Sequence, residues 1–176
     1  MMRAMVVCVS IFLASCTGVP EGIQPVTGLD VDRYLGTWYE VARLDHSFEE
    51  GLSRVTAEYS LMDDGSIEVT NRGYNTEKGE WSVADGRAVF VGDRDTGHLK
   101  VSFFGPFYSS YVVFELDQSG YNYAYITGYN REYLWFLSRT PDVTDEAMRA
   151  FRERAKAEGF NLEGLIVVDQ SPVTDQ

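Results

Sequence analysis

The stretch GTWYEVAR at residues 36–43 decides the fold. Gly36 and Trp38 stand two residues apart at the start of an alternating segment, and alternation is typical of a β-strand with one buried face. Much later in the chain, Arg139 ends a second apolar segment, YLWFLSR, at residues 133–139. We predict that the two segments meet at one end of a closed β-barrel.

The chain between these two segments reads as short strands separated by turns. The first strand is predicted over residues 36–45, and residues 55–61 alternate between apolar and polar, which predicts a second strand with one buried face. The turn at residues 63–65 contains Asp-Gly, which tolerates the positive φ angles that hairpin turns need. Further strands are predicted over residues 67–74, 99–104, 111–116, 121–128 and 133–139.

Residues 80–91 are ambiguous, because Ala84-Asp85-Gly86 suits either a bulge within one long strand or a turn between two short ones. A helix is predicted from Thr144, whose hydroxyl suits an N-cap, to a stop at Gly159. A last short strand follows at residues 165–168. Seven or more short strands with one late helix indicate an antiparallel barrel or sandwich.

The composition bounds the function. The 176 residues are 44% hydrophobic, which is enough for one domain with a real core. The net charge of −12 disfavours a nucleic-acid partner, because phosphate binding needs clustered Lys and Arg. The aromatic residues (11 Tyr, 10 Phe and 3 Trp) suit strands and cavity walls, although an ordinary β core would also use them.

The N-terminus reads as a targeting segment. Arg3 precedes an apolar run at residues 4–14, which is too short to span a bilayer core of ~30 Å but right for a secretory signal. Leu-Ala-Ser-Cys at residues 13–16 resembles a bacterial lipobox, so residues 1–15 are predicted to be removed and Cys16 to carry N-acyl and S-diacylglycerol groups. The alternative is a plain secretory signal. Thr17 favours the outer membrane, on its periplasmic side, and residues 16–28 then form a lipidated tether.

Gly36-Thr37-Trp38 with Arg139, and the runs YLGTWYEVARLDH, KVSFFGPFY and YLWFLSRTP, resemble the bacterial outer-membrane lipocalins, a branch related to apolipoprotein D. The resemblance covers residues 29–170 and leaves a polar tail at 171–176. It implies an all-β fold: an eight-stranded antiparallel up-and-down barrel with one C-terminal helix packed outside. In such a barrel the first and eighth strands are neighbours, which places Arg139 on Trp38 as a cation–π pair. Gly36, Trp38 and Arg139 are then structural residues of the barrel floor.

Eight strands require residues 80–91 to be one bent strand, so Asp85-Gly86 is interpreted as a bulge. The rim opposite Trp38 is then the mouth, formed by the connections at residues 46–53, 75–79, 105–110 and 129–132. The ligand is predicted to contact aromatic side chains at and below this rim. These predicted pocket residues are Phe104, Tyr108, Tyr111 and Trp135. Each of them could instead be ordinary core or rim packing.

No catalytic motif is present: the mature barrel would have no cysteine, and no G-x-S-x-G, P-loop or Rossmann pattern occurs. Residues 93–98 lack the spacing of a calcium loop, so no metal and no cofactor are predicted. The resemblance implies a non-enzymatic carrier, monomer or homodimer, of a fatty acid or (lyso)phospholipid in envelope maintenance under stress. The alternatives are a carrier of a haem- or pigment-like ligand, a lipocalin-fold enzyme, and a ligand-free structural lipoprotein.

Overall fold

The computed structural model describes residues 17–172, so the predicted signal segment and the anchor at Cys16 lie outside the described residues. Eight antiparallel strands form the barrel wall. They are β1 (Gly36–Leu44), β2 (Leu52–Leu61), β3 (Ile67–Asn75), β4 (Glu80–Phe90), β5 (His98–Phe104), β6 (Phe107–Leu116), β7 (Tyr123–Thr127) and β8 (Leu134–Ser138). Each strand pairs with the next along the chain, and β1 pairs with both β2 and β8. The sheet is therefore closed, and the predicted up-and-down barrel is confirmed.

The strand β4 corrects the prediction of a bulge. It is one strand, as an eight-stranded barrel requires, but it pairs with β3 without a register shift through Asp85 and Gly86. A Cβ atom on Gly86 would lie 2.7 Å from ring carbons of Phe103 and 2.9 Å from the Ser102 carbonyl oxygen. The glycine is thus required by the close approach of a neighbouring aromatic ring, and the bulge prediction at Asp85-Gly86 was wrong.

One end of the barrel, which we call the floor, is closed by the helix α1 (Val31–Tyr34), which the sequence did not predict. Asp30 caps this helix, and the Trp38 indole donates a hydrogen bond of 2.8 Å to the Tyr34 carbonyl. The Arg139 guanidinium lies 3.9 Å from the centre of the Trp38 ring, which is the contact expected from the topology. Its N–H groups also donate to carbonyl oxygens of α1, β1 and the turn before β7. The acceptors are Arg33, Leu35, Thr37 and Tyr121.

The helix α2 (Asp145–Ala157) packs on the outside of the barrel. Thr144 accepts a hydrogen bond from the Ala147 amide as the predicted N-cap, and Gly159 has the positive φ of 84° that suits the end of a helix. Phe151 of α2 lies 4.9 Å from both Tyr125 and Phe136, measured between ring centres. A short outer strand, β9 (Leu165–Val167), pairs with β1. Within residues 17–172, neither helix has the length and apolar character to cross a membrane.

Candidate ligand-binding cavity

A cavity of about 410 Å³ lies inside the barrel, within the size range of small-molecule sites. Most of its wall is apolar, aliphatic and aromatic side chains together, because the inward positions of successive strands alternate with outward ones. The aliphatic lining residues are Val55, Ala57, Ile67, Val69, Ala88, Leu99, Val101, Ile126 and Leu137. Such a wall suits a hydrocarbon chain, since it offers apolar surface and few hydrogen bonds.

The cavity reaches the rim opposite the floor, which we call the mouth. His46, Phe48, Phe107 and Tyr129 from the connections and strand ends at that rim are part of its lining. One of the predicted connections is corrected: β6 begins at Phe107, which pairs with Phe104, so the predicted loop at residues 105–110 is a two-residue turn. Its aromatic residues therefore lie mainly on strands, whose register fixes the direction of each side chain.

All four predicted pocket residues lie on the cavity lining. Phe104 stands at the mouth with 73% of its surface exposed, and Tyr108 is half-buried just below. Trp135 lies deeper, on β8, and Tyr111 lies toward the floor. The structure thus spreads these side chains along the whole cavity rather than grouping them. Their contact with a ligand stays a prediction.

Three tyrosines close the bottom of the cavity. The Tyr111 hydroxyl lies 2.7 Å from the Tyr34 hydroxyl and 3.0 Å from the Tyr59 hydroxyl. Burial raises the pKa of all three phenols, so they stay neutral hydrogen-bonding groups at any physiological pH. Tyr34 and Tyr59 were not among the predicted pocket residues. Tyr59 could have been found, because it occupies the inward face of an alternating strand.

A cluster of buried polar side chains lies between the apolar wall and the rim, and we call it the mouth cluster. Its members are Glu40, Arg43, His46, Glu49 and Trp135. Arg43 Nη1 donates to Glu40 Oε1 at 2.7 Å, and Trp135 Nε1 donates to Glu49 Oε2 at 3.0 Å. His46 Nε2 lies 3.2 Å from the same Glu49 oxygen, at ion-pair distance but outside hydrogen-bond geometry. Charged side chains are rarely buried in this way without a specific role.

The pKa values of the two carboxyl groups of the mouth cluster are shifted in opposite directions. Burial and the neighbouring Glu49 charge raise the pKa of Glu40 well above its usual value, despite the opposing effect of Arg43. Burial also opposes ionisation of Glu49, yet its close contact with His46, the hydrogen bond from Trp135 and nearby positive charge bring its pKa below its usual value. Glu49 is therefore the carboxylate of the cluster, and Glu40 is the carboxyl group that holds a proton more readily.

Several polar atoms near the cavity have no hydrogen-bond partner. Among the described residues these buried atoms are Arg43 Nε, both ring nitrogens of His46 and Asn71 Oδ1. Unpartnered buried polar atoms are rare in proteins, because each costs about 1–3 kcal/mol. His46 and Asn71 both line the cavity, so a polar group of a bound molecule has partners there.

The structure also bears on two other kinds of site. In the part of the chain that the structure describes, no group of three His, Cys, Asp or Glu side chains is arranged to hold a metal ion. One serine lies near a histidine: Ser110 Oγ is 3.5 Å from His98 Nε2. The Ser110 hydroxyl, however, donates its proton to the Gly18 carbonyl oxygen at 2.5 Å. A serine whose hydroxyl is held by a backbone carbonyl is not arranged as a nucleophile.

Comparison with known proteins gives one consistent result. A family model described as a lipocalin-like domain matches residues 29–170. The outer membrane lipoprotein Blc of Vibrio cholerae is 56% identical over 171 residues, covering 96% of this chain and 99% of that protein. The protein of the same name from Escherichia coli K12 is 50% identical over 151 residues, covering 86% and 85%. Mouse apolipoprotein D is more distant, at 29% identity over 83% of this chain and 79% of that protein.

Two solved structures show the same fold. The cockroach allergen Per a 4 superposes with a TM-score of 0.67 at 24% identity, covering 88% of this chain and 96% of that one. Insecticyanin from the tobacco hornworm Manduca sexta gives a TM-score of 0.69 at 20% identity, covering 88% and 87%. At these identities the likeness concerns the barrel alone.

Proposed function

The chain belongs to the lipocalin family, and from this membership we propose that it binds a fatty acid or a (lyso)phospholipid in its barrel, for storage or transport of lipids in envelope maintenance under stress. It is an outer-membrane lipoprotein, as are the Vibrio and Escherichia proteins that match it at 50–56% identity. We propose Cys16 as the acylated residue, and the periplasmic side of the membrane as its location.

The aliphatic wall supports the acyl part of the proposal. Each buried methylene contributes about 0.8 kcal/mol, so a long acyl chain has ample driving force even after the cost of immobilising it. The wall between the tyrosines at the bottom and the mouth cluster offers this chain a continuous apolar surface. An acyl chain would therefore enter the cavity tail first, with its polar end toward the mouth.

The mouth cluster supports a ligand that has a polar head. The observation that carries the proposal is the combination of an apolar cavity with unpartnered polar atoms on its lining. A pure hydrocarbon would leave His46 Nδ1 and Asn71 Oδ1 without hydrogen-bond partners, whereas a phosphate or glycerol group, or a bound carboxylic acid, offers them hydrogen bonds. The two protonation states of Glu40 and Glu49 let the cluster meet either donors or acceptors of such a head. We further propose that the cavity binds its ligand without converting it.

Lipid extraction and one matched pair of variants test this function. Native mass spectrometry of the protein purified from membranes should show a bound acyl lipid. Trp135→Ala should weaken the binding of a fluorescent fatty acid about tenfold, because a lost contact of about 1.4 kcal/mol changes the affinity by that factor. Trp81→Ala is the control, since Trp81 is half-exposed and does not line the cavity.

Two results would contradict the proposal. A protein that carries no lipid from the membrane and also binds no fatty acid on titration would be a structural lipoprotein. If Trp135→Ala lowered the stability more than the affinity, Trp135 would be a packing residue rather than a binding residue.

A further inference from the structure

The turn between β5 and β6 presents two phenylalanines to solvent. Phe104 and Phe107, at either end of Gly105-Pro106, are the most exposed of the large apolar side chains in the described part of the chain. Phe48 stands beside them at the mouth, with its ring 5.0 Å from that of Phe103, and is itself partly exposed. An apolar tip of this kind on an otherwise acidic protein indicates a surface that something covers.

The first described residues of the chain lie on the outside of the same two strands, β5 and β6, that this turn joins. The Ser110 hydroxyl donates to the Gly18 carbonyl oxygen, and His98 Nε2 lies 3.1 Å from the Thr17 carbonyl oxygen. Ser110 is three residues from Phe107 on β6, a distance of about 10 Å along a strand. Cys16 is joined to Thr17 by one peptide bond, so their Cα atoms are about 3.8 Å apart. Thr17, the residue that follows the proposed anchor, is therefore held on the same side of the barrel as the apolar turn.

From these two observations we infer that residues 104–107 insert into the membrane that holds the lipid anchor, so that the mouth of the barrel faces the bilayer. The anchor brings the turn to the lipid surface, and the bilayer covers the two phenyl rings. With a net charge of −12 the protein has no electrostatic attraction to anionic lipids, so the apolar contact must orient it. A lipid could then pass between bilayer and cavity without crossing water. The inference rests on the lipid anchor of the proposed function but not on the identity of the ligand.

Spin labels at the two ends of the barrel test this orientation. The mature chain has one cysteine, Cys16, and its sulfur is acylated, so an introduced cysteine is the single free thiol. Gly105→Cys places a label between the phenylalanines, where a Cβ atom meets nothing within 4 Å. Asp63→Cys places the control label in the exposed turn between β2 and β3, at the floor. Both lipidated proteins are reconstituted in phosphatidylcholine vesicles, and label accessibility to oxygen and to a water-soluble nickel complex is measured.

We expect the label at position 105 to be accessible to oxygen and protected from nickel, and the label at position 63 to be accessible to nickel. Adding Phe104→Ser and Phe107→Ser to Gly105→Cys should raise the nickel accessibility at position 105 at least threefold. The inference is overturned if label 105 is as exposed to nickel as label 63, or if the serine substitutions leave its depth unchanged. Protection from both reagents with dipolar broadening would show a second copy covering the turn, which also overturns it. Protein that does not stay on the vesicles would instead refute the anchor, and with it this inference, while the binding of a lipid in the cavity would still be tested by mass spectrometry and titration.

Discussion

Arg139→Ala should be among the most destabilising substitutions at the floor of the barrel. The guanidinium lies on the Trp38 ring, and its N–H groups join α1 to β1 through the Leu35 carbonyl at 2.9 Å and the Thr37 carbonyl at 2.8 Å. A neighbouring Nη2–H also reaches the Arg33 carbonyl at 2.7 Å. Removing the side chain therefore breaks one ring contact and the connection between two segments of the chain.

The size of the effect follows from these contacts. The cation–π contact is worth about 0.5–2 kcal/mol, and a charge-assisted hydrogen bond to a half-buried carbonyl about 1.5–3 kcal/mol. The carbonyls of Arg33 and Thr37 are exposed, so water replaces their lost bonds at little cost. The bond to the Tyr121 carbonyl is long, at 3.3 Å. We therefore count the Leu35 bond and the ring contact, and expect a loss of about 2–5 kcal/mol. Arg139→Lys keeps the charge but not the planar fork, and should lose about half as much.

Urea unfolding of the soluble Cys16→Ser protein, followed by far-UV circular dichroism, measures this loss. With a slope of about 2 kcal/mol per M, Arg139→Ala should lower the unfolding midpoint by about 1–2.5 M. An Arg139→Ala protein within 0.5 M of the parent, by the same relation, would mean that water replaces the guanidinium and would refute the reasoning. An Arg139→Lys protein equal to the parent would show that charge alone suffices and that the fork is unimportant.

Three further substitutions test other parts of the barrel. Glu40→Gln should stabilise the protein at pH 8 but not near pH 4. The folded state raises the pKa of Glu40, so the wild type loses stability as the pH rises above the ordinary carboxyl pKa, by about 1.4 kcal/mol per unit of pKa shift. Urea midpoints measured from pH 4 to 8 would contradict this if the wild type were the more stable protein at pH 8. Gly86→Ala should cost about 1–3 kcal/mol in urea, because the new methyl group meets the Phe103 ring, and a neutral result would show that the ring moves away freely. Tyr111→Phe should lower thermal stability by about 1–2 kcal/mol, since two hydroxyl contacts are lost, whereas Tyr59→Phe loses one; equal losses for both would contradict this account of the three tyrosines.

The barrel and its floor could be predicted through the family resemblance, because strand alternation alone indicated a barrel or a sandwich and the resemblance supplied the eight-stranded up-and-down topology. An even strand count places the start of β1, with Gly36 and Trp38, beside Arg139 at the end of β8. The helix α1 could not be found in this way, since its four residues are too short to show a helical period. Yet Tyr34 of that helix closes the bottom of the cavity.

The mouth cluster was missed for a different physical reason. Simple alternation along β1 would place Glu40 and Ala42 on one face and Arg43 on the other. The pairing of β1 with β8 shifts register between Glu40 and Ala42, so Val41 and Ala42 both pack in the cluster under α2, and Arg43 joins Glu40. A bulge has no reliable sequence signal. Alternation therefore does not predict which face of the strand a charged residue occupies once the chain has passed a bulge. This shift brings the arginine to the two carboxyl groups.

Part of the stability of this barrel comes from layers that lie away from the cavity. The cavity lacks the packing contacts that a filled core would have, so other parts of the barrel must stabilise the fold. The floor supplies part through Trp38 and Arg139, and the outer layer supplies more through the rings of Phe114, Tyr125, Phe136, Phe151 and Phe160. Because these rings lie outside the wall, substitutions on the cavity lining leave them in place. The floor motif, which defines the family, thus says nothing about which lipid is bound.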